Sequence, residues 1–296
     1  MTALLVSAVL AWASAAPALQ ARSEVAAAVL AHEIVLVGGL REDGAPSARV
    51  DAYSPASNRW RRLPDLPSGV HHAMAASSGG KLYVVGGYGG PLGAGTRVRT
   101  AFVLERGGWR SLPRLPEPRA AGGAAVLGRR LYVVGGVGAS GLARRAFAFD
   151  LDTRRWTQIP APTPREHLAV TAAGGRIYAL GGRTAGFDTN LGTFEAWAPG
   201  MKRWRRLPPV PEARGGTGAA AVAGSIVSVG GEAPAGTIAS VYAYSLVRGR
   251  WRRLPDLPTP RHGLAVAGVG TRVYAIAGGL TPGLSVSAVN EYLDFG

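Results

Sequence analysis

Arginines and histidines recur along this chain of 296 residues at positions where they could bind a ligand or move a proton. Five arginines each precede a short apolar run: Arg22, Arg119, Arg165, Arg214 and Arg261. Arginine holds carboxylate and phosphate groups bidentately and keeps its charge, so this set predicts binding of an anionic ligand. The alternative is that each guanidinium bonds to neighbouring loop carbonyls and holds the fold in register. The two interpretations are not exclusive.

Four of the five histidines lie beside these arginines or replace them: His71, His72, His167 and His262, with Glu24 and Glu166 nearby. The adjacent pair Glu166 and His167 is a candidate general acid or base. Three histidines and a carboxylate are also metal-ligand types, but their spacing along the chain is not that of a compact metal motif. A packing or hydrogen-bonding role is therefore favoured, and no metal or cofactor is predicted.

The elements that must position these side chains come from an internal repeat. Glycine pairs end apolar runs at Gly38-Gly39, Gly86-Gly87, Gly135-Gly136, Gly181-Gly182, Gly230-Gly231 and Gly278-Gly279. The tryptophans Trp60, Trp109, Trp156, Trp204 and Trp251 keep nearly the same spacing, and an aromatic residue stands seven positions before each of them. A repeat of roughly 48 residues with four short alternating strands cannot bury its faces alone, so its copies must stack. This predicts one all-β domain, a six-bladed β-propeller with four-stranded antiparallel blades around a central channel.

The residues of the third repeat resemble the Kelch repeat: Arg119, Gly123 to Leu127, Leu131 to Gly136, Phe147 to Asp150 and Trp156. The resemblance covers about residues 22 to 293. It implies that the link into each inner strand reaches one mouth of the channel, where Arg22, His71, His72, Arg119, Arg165, Arg214, Arg261 and His262 would bind a ligand. It also implies that the two ends of the chain join in one blade.

The first 21 residues allow two interpretations. Trp12 lies 48 residues before Trp60, so this segment could supply the missing outer strand of the last blade. Alternatively, Ala3 to Ala15 is an apolar run with a small-residue cleavage site at Ala13-Ser14-Ala15, which is typical of a signal peptide. The second interpretation is favoured and predicts export to the periplasm or the exterior rather than a cytoplasmic location. The propeller itself is placed at residues 22–296.

Composition excludes several function classes. The absence of cysteine removes disulfides, thiolate metal sites and cysteine nucleophiles. The net charge of +15 comes almost wholly from arginine. Much of that arginine lies on the tryptophan strands, at the outer edge of each blade, where charge opposes pairing between blade edges of different molecules. Because this charge is spread evenly around the propeller and is not gathered on one face, nucleic-acid binding is not predicted. No phosphate-binding loop or nucleophile elbow is present, and the body of the chain lacks a transmembrane segment.

The sequence thus favours a non-enzymatic, monomeric binding module that presents loops of one propeller face to a protein, peptide or glycan. Short loops support this, because enzymes more often enclose their substrate. Some Kelch-like proteins are sugar enzymes, and one alternative is a sugar-acid enzyme that resembles N-acetylneuraminate epimerase, with Glu166 or His167 moving a proton. The galactose oxidase alternative fails because its cofactor needs a cysteine. A cell-envelope scaffold is the remaining alternative.

Overall fold

The computed structural model describes residues 10–295 and shows a six-bladed β-propeller with four-stranded antiparallel blades, which confirms the predicted fold. Residues 3 to 9 of the proposed signal sequence lie outside the described part of the chain. Among the described residues, no helix is long and apolar enough to cross a bilayer.

The strands follow the repeat closely. After β1 (Trp12–Ser14), blade 1 contains β2 (Ala26–Leu30), β3 (Glu33–Val37), β4 (Val50–Ser54) and β5 (Arg59–Arg62). Blade 2 contains β6 (Met74–Ser78), β7 (Lys81–Val85), the hairpin β8 (Tyr88–Gly89) and β9 (Thr96–Arg97), β10 (Ala101–Glu105) and β11 (Gly108–Ser111). Blade 3 contains β12 (Gly123–Leu127), β13 (Arg130–Val134), the hairpin β14 (Val137–Gly138) and β15 (Gly141–Leu142), β16 (Ala146–Asp150) and β17 (Trp156–Ile159).

The second half repeats this order. Blade 4 contains β18 (Glu166–Ala173), β19 (Arg176–Arg183), a 3-10 turn (Phe187–Thr189), β20 (Phe194–Trp197) and β21 (Arg205–Leu207). Blade 5 contains β22 (Gly218–Val222), β23 (Ser225–Val229), the hairpin β24 (Glu232–Ala233) and β25 (Gly236–Thr237), β26 (Val241–Ser245) and β27 (Trp251–Leu254). Blade 6 contains β28 (Ala265–Val269), β29 (Arg272–Ile276) and β30 (Asn290–Asp294).

The outer strand of blade 6 is β1, from the other end of the chain. Trp12 pairs with Leu293 and Ser14 pairs with Glu291 in antiparallel register. The indole Nε1 of Trp12 donates to the carbonyl oxygen of Pro255 at 3.0 Å. Every other blade repeats this bond to the carbonyl four residues after the tryptophan of the preceding blade: Trp60 to Ala16, Trp109 to Pro64, Trp156 to Pro113, Trp204 to Pro160 and Trp251 to Pro208. Trp12 therefore completes a ring of six equivalent contacts.

The inner strands are rich in alanine and glycine because six of them crowd around one axis. The channel between them is lined mainly by alanine and valine, such as Ala27, Ala75 and Ala124. At Gly123 of β12, a Cβ would lie 2.3 Å from Cγ2 of Val170 in the next blade. Small side chains at these positions let neighbouring blades pack directly on one another.

The glycine pairs join neighbouring blades. In blade 3, Gly136 has a φ of +83° and its N–H donates to the carbonyl of Arg165 in the next blade. The equivalent pair in blade 6 is Ala277-Gly278 rather than Gly278-Gly279, because Ala277 takes the left-handed conformation (φ +58°) and Gly278 N–H donates to the carbonyl of Arg22. The sequence alignment of the sixth repeat was therefore wrong by one residue.

Candidate functional site at the channel mouth

One end of the channel opens into a cavity of about 360 Å³, which we call the mouth. Its walls come from two kinds of position: the links before the inner strands and the loops that follow the glycine pairs. The lining residues are Glu24, Leu40, His71, His72, Tyr88, Leu92, Gly93, Gly95, His167, Arg183, Phe187, Glu232, His262 and Gly283. The mouth therefore combines a charged, imidazole-rich base with apolar residues around it.

The base is organised by one residue from each blade. These six residues lie at the point where each link enters its inner strand, and all have a left-handed backbone: Glu24, His72, Ala121, His167, Gly216 and Gly263. The N–H of each residue from His72 to Gly263 donates to the carbonyl of the preceding member at 2.8–3.0 Å. Val25 N–H closes the circle on the carbonyl of Gly263 at 3.3 Å. We call this circle the axial ring.

Three members of the axial ring bring polar side chains together. Nε2 of His72 lies 3.0 Å from Nε2 of His167 and 3.1 Å from Oε2 of Glu24. These side chains are 8%, 10% and 11% exposed. His72 lies 48 positions after Glu24 and 95 positions before His167 in the sequence, yet the three side chains meet at one point because equivalent positions of a propeller face the same axis.

Further charged groups surround this cluster. Oε1 of Glu166 lies 3.4 Å from Nδ1 of His167 and 3.4 Å from Nε of Arg183. Nδ1 of His262 lies 3.2 Å from Oε1 of Glu24 and 3.4 Å from Oε2 of Glu232. Among the described residues, two groups could hold a metal ion, and Glu24 belongs to both: Glu24, His72 and His167, and Glu24, Glu232 and His262.

Burial and charge affect these groups differently. Burial lowers the pKa of His72 to about 3, because desolvation of its charged form outweighs the attraction of Glu24. Burial also acts on His262, but Glu24 and Glu232 together raise its pKa above the usual value. Burial tends to raise the pKa of Glu166, yet His167 and Arg183 hold it below the usual range. Near neutral pH the base therefore contains an ionised Glu166 and a neutral His72.

The five predicted arginines do not line the mouth. All five side chains are fully buried, and each donates several hydrogen bonds inside the protein, although Nε of Arg22 and Nε of Arg119 are buried without a partner. Arg165, for example, donates to the carbonyls of Thr163, Ala179 and Gly181 and to Glu195, at 2.6–3.0 Å. Arg22, Arg119, Arg214 and Arg261 make comparable sets of bonds to carbonyls and carboxylates. A ligand could reach these guanidinium groups only by displacing backbone carbonyls, so we no longer place them in ligand contact.

The predicted histidines, in contrast, meet at the mouth. His71 is buried, and its ring stacks on Tyr88 with centroids 5.2 Å apart. Its Nδ1 lies 2.6 Å from Nδ1 of His72. The catalytic candidates Glu166 and His167 do lie side by side, but the guanidinium that faces the same space belongs to Arg183, which the sequence reasoning did not select.

Two mouth residues with charged side chains, Arg183 and Glu232, were missed. Nη1 of Arg183, in blade 4, donates to Oε1 of Glu232, in the neighbouring blade 5, at 2.7 Å. Both residues directly follow a glycine pair, as do Leu40 and Tyr88, which also line the mouth. Reading the residue after each pair would have found them.

Comparisons with known proteins agree with this architecture. A sequence profile for the KLHDC2/KLHL20/DRC7 Kelch-repeats domain matches residues 24–208 and, in a second register, residues 71–279. Kelch-like protein terF of Aspergillus terreus is 28% identical over 239 residues, which is 75% of this chain and 52% of that protein. Human Kelch-like protein 25 is 30% identical over 210 residues (68% of this chain, 35% of the relative), and human Kelch-like protein 23 is 25% identical over 221 residues (74% and 30%). The chain spans about half or less of the length of these relatives.

Proposed function

Because this chain belongs to the Kelch-repeat family, we propose that it is a protein-binding module that takes a segment of a partner protein at the mouth. The relatives support a protein-binding role in general. The position of the exposed apolar side chains supports the mouth as the place. The partner segment would present an apolar side chain to the exposed leucines on the loops around the mouth, Leu92, Leu280 and Leu284, which we call the rim together with the aromatic residues beside them. It would present polar groups to the base.

The observation that carries this proposal is the clustering of exposed leucines. Within residues 10–295, five large apolar side chains are exposed, and three of them lie on loops around the mouth: Leu92, Leu280 and Leu284, each 43–44% exposed. Leu92 and Leu284 flank Gly44, at 3.8 and 3.4 Å from the position of its absent Cβ, and Leu92 N–H donates to the Gly44 carbonyl. Apolar side chains gathered beside a polar cavity are typical of an interaction site.

The rim also contains aromatic side chains of the kind that anchor protein interfaces. Tyr88 and Phe187 line the cavity, and the guanidinium of Arg183 lies 4.9 Å from the Phe187 ring centroid. Aromatic and arginine side chains in a pocket dominate the energetics of many interfaces. An anionic partner, which the buried arginines had suggested, would meet Glu24, Glu166 and Glu232 at the base. We therefore propose recognition through the apolar rim rather than through anion binding.

The proposal is tested by selecting binders from a displayed random-peptide library on the whole chain. Selected peptides are measured on the variant Leu92→Asp/Leu284→Asp and on the control Val247→Asp, which changes an apolar side chain, 93% exposed, on the turn between β26 and β27. The rim variant should weaken binding about 10- to 100-fold, since an interface anchor contributes about 2 kcal/mol or more, and the control should not. The proposal would be contradicted if the selected peptides bound the rim variant as tightly as wild type. It would also be contradicted if all selected peptides were acidic and their affinity did not change in the rim variant.

A further inference from the structure

The structure assigns a second property to the mouth: we propose that Glu24, His72 and His167 form a binding site for a single Zn²⁺-class cation at the base. The site would use Nε2 of both histidines and Oε2 of Glu24, leaving a fourth coordination position open toward the cavity. It does not depend on the proposed partner, because it uses the axial ring and not the leucine rim.

The spacing of the three donor atoms fits a tetrahedral ion. With metal–ligand distances of about 2.0–2.1 Å, two ligand atoms of a tetrahedral Zn²⁺ site lie roughly 3.3 Å apart. Two sides of this triangle measure 3.0 Å, between the histidine nitrogens, and 3.1 Å, between Nε2 of His72 and Oε2 of Glu24. All three atoms lie within 4.8 Å of one another. Two imidazoles and one carboxylate are a ligand set that zinc uses when it keeps a position open.

Hydrogen bonding alone serves this triangle poorly. Nε2 of His72 faces both Oε2 of Glu24 and Nε2 of His167, and a single ring nitrogen cannot donate to the carboxylate and accept from the other imidazole at the same time. Its other nitrogen, Nδ1, faces Nδ1 of His71 at 2.6 Å. In addition, Nδ1 of His167 is buried and makes no hydrogen bond of acceptable geometry. A cation in place of the His72 proton would satisfy all three facing atoms at once.

The surroundings have the form of an outer ligand shell. Metal-binding histidines usually direct their second ring nitrogen at a carboxylate or another acceptor, which fixes the tautomer. Here Nδ1 of His167 faces Glu166 at 3.4 Å, and Glu166 is held in turn by Arg183. Nδ1 of His72 faces the buried ring of His71. A polar group therefore lies within 3.4 Å of the second nitrogen of each candidate histidine ligand, although at His167 the approach lacks the geometry of a hydrogen bond.

The axial ring supplies the room for this site. Its other three members are Ala121, Gly216 and Gly263, which have small side chains or none. A Cβ on Gly263 would lie 2.4 Å from Oε1 of Glu24, so only glycine at that position lets the carboxylate occupy its place. Ala121 stands between His72 and His167 in the circle and leaves the two imidazoles free to meet.

The neighbouring group of Glu24, Glu232 and His262 is a weaker alternative. Both oxygens of Glu232 already accept hydrogen bonds, from Arg183 and from the N–H of Gly283. Nε2 of His262 faces the carbonyl of Thr281 at 3.1 Å. We therefore place the ion between Glu24, His72 and His167. Comparison of His72→Ala and His167→Ala with His262→Ala distinguishes the two groups.

The test measures Zn²⁺ and Co²⁺ binding to the tag-free, chelator-stripped whole chain by calorimetry, with the visible absorption of Co²⁺ reporting four-coordination. We expect one ion per chain. His72→Ala and His167→Ala should each weaken binding by about 100-fold or more, beyond the roughly 10-fold loss expected for the outer-shell variant Glu166→Gln. Ala121 shows that the axial ring accepts alanine, and His167→Asn provides a second variant because asparagine tolerates the left-handed backbone.

The matched controls are His262→Ala, in the same mouth, and His32→Ala, an exposed histidine outside it. His32→Ala should bind the ion as wild type does, and His262→Ala, whose side chain contacts the proposed ligand Glu24 at 3.2 Å, should lose no more than the roughly 10-fold of an outer-shell change, well short of the 100-fold expected of a lost ligand. Leu92→Asp/Leu284→Asp should also retain binding, which keeps a failure of this inference distinct from a failure of the proposed function. Absence of stoichiometric binding, full binding by His72→Ala or by the folded His167 variants, or equal loss in His262→Ala would each overturn the proposal.

Discussion

Replacing Arg165 with alanine should destabilise the propeller strongly without any ligand being involved. The side chain is fully buried and Glu195, its partner at 2.6 Å, is 5% exposed. Removal leaves this carboxylate without its cation, retaining only the bonds from Thr163, and deprives three carbonyls of donors. Breaking one side of a buried ion pair costs about 3–5 kcal/mol. For a chain of this size, that corresponds to a fall in the thermal midpoint of roughly 5–8 °C, measured by circular dichroism.

Arg119→Ala is the matched comparison for Arg165→Ala. It is equally buried, but its carboxylate partner, Glu117, lies 3.5 Å away, is 24% exposed and keeps a second ion pair with Arg145. We expect a smaller loss of about 1–3 kcal/mol, which reflects mainly the carbonyls of Gly135 and Arg145. The double variant Arg165→Met/Glu195→Leu should recover part of the loss, since it removes both charges. Unchanged midpoints in Arg165→Ala, or equal losses in the two single variants, would refute this reasoning.

Three other predictions concern the backbone, the histidines and the N-terminal strand. Gly136→Ala should destabilise the fold by about 1–3 kcal/mol more than Gly128→Ala in urea unfolding: both residues have positive φ, but only the Gly136 Cβ would collide, at 2.4 Å from the Ala120 carbonyl. Because the pKa of His72 falls to about 3 in the folded state, the unfolded state binds more protons below pH 6.5, so stability should fall as the pH is lowered from 6.5 to 5.0. With a chelator present, the free energy of unfolding of His72→Gln should fall less over this pH range than that of wild type, with a difference of at most about 2 kcal/mol. An equal fall in the two proteins would count against a neutral His72. A chain that begins at Ala16 lacks β1 and should therefore unfold at a lower temperature than the full chain. Export stays a prediction, which N-terminal sequencing of the protein from cell fractions can check. An exported chain that starts at Ala16 would support it, and an uncleaved cytoplasmic chain would contradict it.

The fold was predictable because its markers are local in the sequence. Each glycine pair and each tryptophan repeats at nearly constant spacing, and each has a contact that depends on its own type: a backbone bond to the next blade, or an indole bond to the preceding blade. The one error of alignment, at Ala277-Gly278, has a physical cause. Ala277 takes a left-handed backbone that alanine adopts only at a cost, so the residue type gave no sign of it.

The candidate site was less predictable because sequence spacing gives the position of a residue and not the direction of its side chain. Arg165 and His167 are two residues apart on one link, yet the arginine is enclosed by its own blade while the histidine reaches the axis. Arg183 and Glu232 lie on different blades, and only the closed ring of blades makes them neighbours. Their shared position after a glycine pair is a signal in the sequence, but it acquires meaning only once the mouth is known.

The axial ring explains why the base of the mouth is the part of this fold most able to take up chemistry. Five of its six members donate the same backbone hydrogen bond to the preceding member, whether they are histidine, alanine or glycine, so these bonds require of the side chain only that it tolerate a left-handed backbone. Glycine meets that requirement without strain, as at Gly216 and Gly263, whereas a larger residue costs roughly 1–2 kcal/mol. Ala121, Glu24, His72 and His167 each carry this cost, and the last three direct polar atoms at one point. Strain that packing does not need, concentrated on side chains that converge, is the physical sign of a site.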